Sequence, residues 1–532
     1  MTLDRRTFLQ RLGLGATGLG LVSTFPACLS AEGALFHTGK LPRGAPEEQG
    51  VSSAGILAFL EAVAKSRHEF HSFMMVRHGY VVAEGWWTPY APARKHMLYS
   101  LSKSFTSTAV GLAVTEGRLK VDDTVTSFFP GDLPGSVSDN LAALRVKHLL
   151  TMSVGHATDS TPIITKEENW VKSFLSLPIV HEPGSVFLYN SGATYMLSAI
   201  VQKVTGEKLI DYLRPRLFEP LEMRRMSWET CPRGINTGGW GLSVQTECLA
   251  KFGQLYLQKG RWKDRQILPA AWVEEATTFK IQQPATGNAS LEEVKKTSDW
   301  HQGYCYQFWR CRHNGFRGDG AFGQYAIVLP EQDAVIAITS ESADMPGELN
   351  LVWEFLLPAL RQDPLPADAP AALQLRDELA SLALPPPKGQ GSSPTAARVS
   401  GKTFQIVAND KGARDVCFRF HGATCTFTLR DAGGQYPIRC GLGNWVEGQT
   451  NMPGTPPKIT VKDLRPVRIA ASGAWKDDNT FQMTWRYYET PHHDTVTCRF
   501  DGNKVRVEFM NSITEKSPSH PETRPVLQGE MS

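Results

Sequence analysis

The stretch YSLSKSFTSTAVGLAV, Tyr99 to Val114, is almost wholly small and apolar, yet Lys103 stands three positions after Ser100. If Ser100 starts a helix, the two residues share a face and their side chains can touch. A serine hydroxyl is a weak nucleophile until a base takes its proton. A lysine amine can be that base if it is neutral near pH 7, a state that desolvation favours. The N-terminal end of a helix adds positive potential, which helps an alkoxide and disfavours an ammonium. The chemistry implied is nucleophilic attack by a serine hydroxyl that a lysine activates. The plainer alternative is an N-cap serine beside a lysine reaching for water. S-x-x-K occurs once in the chain.

The elements around this pair alternate between helical and strand patterns. Ile56, Leu57, Leu60 and Val63 recur at helical spacing and predict a helix over 52–64. Phe73 to Val76 and Tyr80 to Ala83 flank Arg77-His78-Gly79 as a hairpin. Further helices are expected over 195–204 and 249–258, and a late strand pair over 326–329 and 334–339. Without a βαβ rhythm, the class is α+β. From Gln362 to Ala397 proline-rich runs bracket one short helix, 371–382, and read as a linker. Beyond it, short hairpins at His421-Gly422 and Asp501-Gly502-Asn503 predict a small all-β barrel or sandwich. His492-His493-Asp494 reads there as a solvated loop rather than a metal corner.

A length of 532 residues calls for two or three domains. The net charge of +3 and the lack of a basic patch with interleaved aromatics argue against nucleic acid. Nine scattered cysteines without C-x-x-C exclude a zinc ribbon or thioredoxin-like motif. Arg5-Arg6 before the weakly apolar run from Leu12 to Val22 resembles a Tat export signal, with lipidation at Cys28 as a variant. The expected location is the periplasm or cell envelope. No later apolar run is long enough to span a bilayer. A G-x-S-x-G elbow, a P-loop and H-E-x-x-H are all missing.

The segment at Ser100 resembles the active-site segment of the serine β-lactamase and penicillin-binding-protein superfamily, in its class C β-lactamase and esterase branch. LRVKHLLTMSVGH (Leu144 to His156), the block from Glu182 to Met223 and WGLSVQTECLAKFGQLYLQKGRW (Trp240 to Trp262) are similar to further blocks of that branch, in the same order. The resemblance covers most of residues 40–360. It implies a penicillin-recognising fold: an antiparallel sheet with flanking helices, a helical subdomain, and a site between them. Ser100 would be acylated with Lys103 as partner. Tyr189 would match the family tyrosine that shuttles protons, and Ser191 would stand where the branch usually has asparagine. Whether lysine or tyrosine is the base stays open.

The family's third motif, K-T-G or H-x-G, matches the region Phe316 to Glu331 and puts Asp319 where a cation is expected. Gly320 follows, and the second oxyanion donor beside the nucleophile's own N–H would be Ala321 or Phe322. An aspartate there would repel a substrate carboxylate by about 4 kcal/mol at an effective dielectric of 20, unless Arg317 or His313 restores the charge.

These observations give residues 1–35 as signal, 36–361 as a serine hydrolase domain, 362–397 as linker, 398–515 as an all-β domain and 516–532 as tail. The expected activity is that of an exported serine hydrolase on esters or amides, esterase- or peptidase-like rather than an efficient β-lactamase. Its substrate would be a small molecule, peptide or ester, cell-wall material included, and no cofactor or metal is called for. The rival is a catalytically weak penicillin-binding-like protein that senses or binds wall peptides.

Overall fold

The sheet that carries the site is built from strands whose residues are buried on both faces. In the computed structural model, which describes residues 39–285, 287–455, 466–516 and 520–532, these are β1 (Glu69–Arg77), β2 (Tyr80–Trp86), β3 (Trp309–Arg310), β4 (Phe316–Gly320), β5 (Gln324–Leu329) and β6 (Ala334–Glu341). They pair antiparallel in the order β2-β1-β6-β5-β4-β3. Alternation along β1 sends Met74 and Val76 into one apolar cluster and Phe73 and Met75 into another. A sheet dressed on both faces needs a helical layer on each.

One layer holds α2 (Ser102–Thr115), α3 (Ser191–Thr205) and α4 (Thr246–Leu257), and Phe105 of α2 stacks on Phe252 of α4 with ring centroids 3.9 Å apart. The other begins with α1 (Ser53–Lys65), capped at its start by the Ser52 hydroxyl, which accepts from the Gly55 amide. Ile56, Phe59, Leu60 and Val63 of α1 are buried. The segment read as a linker is folded onto this face. Its helix α5 (Ala369–Ser381) buries Leu375, and Leu375 and Leu384 join the same cluster as α1.

The remainder closes into a barrel. Its strands are β7 (Thr403–Ile406), β8 (Asp415–His421), β9 (Thr424–Arg430), β10 (Gln435–Leu442), β11 (Val446–Thr450), β12 (Val467–Asp477), β13 (Thr480–Arg486), β14 (His493–Asp501), β15 (Lys504–Asn511) and β16 (Leu527–Met531). The ladder runs β10-β9-β8-β7-β16-β15-β14-β13-β12-β11, and a parallel pairing of β10 with β12 closes nine strands into a ring. Of the two expected all-β architectures, the barrel is the one formed. Trp475, Phe481, Met483 and Trp485 fill its interior. Ala470 and Tyr488 leave that core and pack into the hydrolase cluster of α1 instead.

Among the described residues no helix is long and apolar enough to cross a membrane, and the eight cysteines are unpaired, all but Cys417 buried. The expected export signal and Cys28 lie outside the described residues.

Candidate active site

Ser100 sits in a single 3₁₀ turn, Tyr99–Leu101, that leads into α2. The expected helix therefore starts two residues later than Ser100, but the turn and helix run on and keep Lys103 on the serine's side. Tyr99 holds the left-handed backbone conformation, φ 49°. Its carbonyl accepts from the Ser102 hydroxyl at 2.6 Å, and the same hydroxyl accepts from the Leu242 amide at 3.1 Å. A side chain thus caps both the turn and the strand beside it.

Lys103 is buried, 2% exposed. Its Nζ lies 3.0 Å from Ser100 Oγ, 2.9 Å from Ser191 Oγ and 2.8 Å from the Gly239 carbonyl oxygen. Burial pushes the amine down to about 7, against the pull of the Asp159 and Asp319 carboxylates. A neutral amine has two N–H groups and one lone pair. The Gly239 carbonyl can only accept, so it takes one N–H, and Ser191 Oγ can accept the other. The lone pair is left for the Ser100 hydroxyl.

Tyr189 and Ser191 come from the segment entering α3, whose N-cap is the buried Asn190. The Asn190 side-chain oxygen accepts from the Ser160 hydroxyl at 2.7 Å and from the Gly192 amide at 3.1 Å. The Ser191 amide donates to Asp159 at 3.2 Å. Three neighbours therefore fix this helix start. The Tyr189 ring stacks on Trp309, centroids 5.6 Å apart, and lies under the Lys103 ammonium position at 4.8 Å. Burial drives the Tyr189 phenol well above its usual value, with the nearby Asp319 carboxylate adding to this and the Ser100 hydroxyl opposing it. It stays protonated at neutral pH.

The strand β4 closes the site from the other side. A Cβ on Gly318 would come 2.7 Å from the Ser104 hydroxyl, and one on Gly320 would come 2.0 Å from the Leu98 carbonyl oxygen and 3.1 Å from the Leu101 amide. The glycine face of β4 thus presses on the turn that holds Ser100, and Ala321 follows directly at that contact. Phe322, with φ 67°, points its ring away to pack edge-on against Tyr99 at 5.4 Å and His492 at 4.8 Å. Gly320→Ala is expected to destabilise the fold by about 1–3 kcal/mol and to depress activity further. Thermal melts and ester turnover check this, and wild-type values in both would contradict the contact.

Asp319 needs correcting as a repulsive group. Arg317, two residues earlier on the same strand face, sets Nε at 3.0 Å and Nη2 at 2.9 Å from Asp319 Oδ2. The sequence left this open, and the pairing removes most of the carboxylate repulsion argued from Asp319 alone. Burial still raises the Asp319 carboxyl, with Arg317 pulling it down. The guanidinium is itself consumed: its Nη1 donates to the Asp299 carbonyl at 3.0 Å, and it lies over the Trp300 ring at 4.5 Å.

His492, His493 and Asp494 are likewise buried, not a solvated loop. Glu69, Glu341 and His493 bring ligand-type atoms within 4.8 Å of one another. However, Arg486 lies 2.7 Å from Glu69 and Lys516 2.9 Å from Glu341. These cations already compensate both carboxylates, which leaves little electrostatic demand for a metal ion.

Sequence reasoning missed Gly239, whose contribution is a carbonyl that any residue carries. It also missed Asp159 and Asn190, which act through the start of α3, and it passed over Asn190 inside the Tyr189-Asn190-Ser191 triplet.

A hydroxyl, a buried depressed amine and a protonated phenol converging beside a strand edge define a serine hydrolase. A family model described as Beta-lactamase matches residues 61–393, and the chain belongs to that family. It is 27% identical to the 6-aminohexanoate-dimer hydrolase of Paenarthrobacter ureafaciens over 293 residues, 51% of this chain and 73% of that protein. It is 26% identical to Protein flp of Staphylococcus aureus over 145 residues, 26% of this chain and 29% of that protein. Among solved structures, the octameric penicillin-binding protein homologue from Pyrococcus abyssi aligns at 16% identity with a TM-score of 0.46, covering 90% of this chain and 99% of that one.

Proposed function

We propose that the protein hydrolyses esters or amides through an acyl-enzyme on Ser100. The observation that carries this reading is the 3.0 Å contact between Ser100 Oγ and the Nζ of a lysine that burial holds near neutrality. Lys103 takes the Ser100 proton as the hydroxyl oxygen attacks the substrate carbonyl carbon. The resulting oxyanion is met by the Ser100 amide and an amide just after Gly320, that of Ala321 or Phe322. The tetrahedral adduct collapses, and the leaving oxygen or nitrogen receives a proton from the Tyr189 phenol. That group is pushed up and so is an acid rather than a phenolate base. Tyr189 recovers its proton from Lys103. Water then adds to the acyl carbon by the reverse proton path, releasing the acid and restoring Ser100. The opposite directions in which burial moves the two groups support Lys103 as base and Tyr189 as acid.

Substrates without a free carboxylate suit this site. Lys103 is committed to Ser100, Ser191 and Gly239, and Arg317 to Asp319. Among the described residues, the third-motif strand offers no uncompensated cation to a substrate carboxylate. The relative named a 6-aminohexanoate-dimer hydrolase adds amides to the substrate classes in reach. The Arg5-Arg6 segment supports delivery of the folded chain across a membrane, which would place its substrates in the cell envelope.

A short-chain nitrophenyl ester and nitrocefin, run side by side with mass spectrometry of the quenched enzyme, test this reading. The ester is expected to turn over faster and to leave its acyl group on Ser100. Faster nitrocefin turnover would remove the substrate preference, and an adduct on another residue would remove the mechanism.

A further inference from the structure

The barrel reaches the nucleophile. The loop between β13 and β14 touches the chain leading to Ser100 at three successive points. The Tyr90 hydroxyl donates to the Thr490 carbonyl at 3.2 Å. The Met97 amide donates to the Glu489 carbonyl at 3.0 Å. The Tyr99 hydroxyl meets His492 Nε2. This loop is itself braced: the Tyr487 amide donates to the His492 carbonyl at 3.0 Å, and the Thr490 hydroxyl accepts from the His492 amide at 3.1 Å while donating to the Tyr487 carbonyl at 2.9 Å.

His492 is fully buried, and its Nδ1 lies 2.7 Å from Glu341 Oε1 at the end of β6. Lys516, at 2.9 Å, and hydrogen bonds from both histidines hold the Glu341 carboxyl well below its usual range, although burial alone would raise it. An ionised Glu341 can only accept, so Nδ1 carries a proton. The other ring nitrogen, Nε2, is thereby turned to the Tyr99 hydroxyl. The phenol is thus fixed toward the barrel.

Tyr99 is the residue that needs fixing. A non-glycine side chain in the left-handed region costs on the order of 1–3 kcal/mol and persists only where its surroundings over-determine it. Here the surroundings are the His492 bond, the edge of the Phe322 ring and the Ser102 cap on the Tyr99 carbonyl. Phe322 also packs on His492, so one barrel histidine buttresses both the residue before the nucleophile and the turn after Gly320.

We propose that His492, held by Glu341 and acting through Tyr99, is a positioning residue for Ser100, so that the C-terminal barrel is a working part of the hydrolase site. This goes beyond the proposed activity and rests on Ser100 being the acylated residue. The consequence is kinetic. A slackened Tyr99 misplaces the Ser100 hydroxyl relative to Lys103 and the oxyanion donors without removing any group that binds substrate, so kcat falls while KM holds.

The test uses the full chain with four variants: Tyr99→Phe, His492→Leu, their double, and His492→Gln, whose side-chain amide can still meet the phenol. Kinetics are measured on a nitrophenyl ester, with Ser100→Ala run alongside. Tyr99→Phe deletes a single oxygen and keeps the ring packing, so it reads out even if His492→Leu folds poorly. Each of the two single losses is expected to lower kcat by about tenfold or more with KM within about twofold. The double is expected to be no worse than the weaker single, and His492→Gln to recover part of the rate. An unchanged kcat in Tyr99→Phe, losses that multiply in the double, or a rise in KM without a fall in kcat would overturn the proposal. Turnover surviving in Ser100→Ala would instead remove the acyl-serine reading beneath it. An inactive Ser100→Ala beside a normal His492→Leu would remove only the role of the barrel.

Discussion

Ser100→Ala is expected to lower kcat on a nitrophenyl ester by on the order of 10⁴-fold or more, and to abolish labelling by a fluorophosphonate. The substitution removes one oxygen from a half-buried turn. Lys103 keeps Ser191 and Gly239 as partners, the Ser102 hydroxyl still caps the turn, and α2 stays packed. The fold should therefore survive, as circular dichroism and the melting temperature would show. Loss of rate then reports chemistry. Whatever rate persists comes from the oxyanion donors and substrate binding, which do not depend on the hydroxyl. A variant within about tenfold of the wild-type rate would end the case for a serine nucleophile.

Lys103→Met is the second large effect. A positioned general base contributes about 10²–10⁴-fold, and here the base also orders Ser100, Ser191 and the Gly239 carbonyl. The expected loss in kcat/KM therefore lies toward the upper end of that range. The pH profile distinguishes the base from a merely structural cation. Burial brings Lys103 down to about 7, so the amine is increasingly protonated as pH falls below that value and can no longer accept the serine proton. Wild-type kcat/KM should therefore fall about tenfold per pH unit below that point, and this acid limb should vanish in Lys103→Met. Lys103→Arg should not rescue, because guanidinium stays charged. An acid limb that persists in the methionine variant would assign the titration to another group.

The order in which the site could be read follows from the range of each interaction. Ser100 and Lys103 are legible because three residues of helical chain bring them together whatever lies around them. The same local logic predicts the helices that became α1, α3 and α4, the hairpin of β1 and β2, and the barrel hairpins at His421-Gly422 and Asp501-Gly502-Asn503. Helix ends shifted by a few residues, as at α2, where the Ser102 hydroxyl and Leu242 amide select a 3₁₀ turn before the helix. Arg317 and Asp319 stand between the two cases. Their spacing puts them on one face of a strand, but only the packing of Asp299, Trp300 and Trp309 around the guanidinium brings it onto the carboxylate.

By itself the sequence determined the pairing of Ser100 with Lys103, the α+β class and a β-rich C-terminal region, all set by contacts within a turn or a hairpin. Only the tertiary structure decided that Asp319 carries a partnered charge, that the Gly239 carbonyl orients the lysine, and that the proline-rich segment packs on α1. It alone placed His492 on Tyr99 across 393 residues of sequence. Each of these joins groups that chain connectivity leaves independent. What unites them is burial: an unpaired polar group in a dry interior is costly, so the folded chain supplies partners from wherever packing brings them.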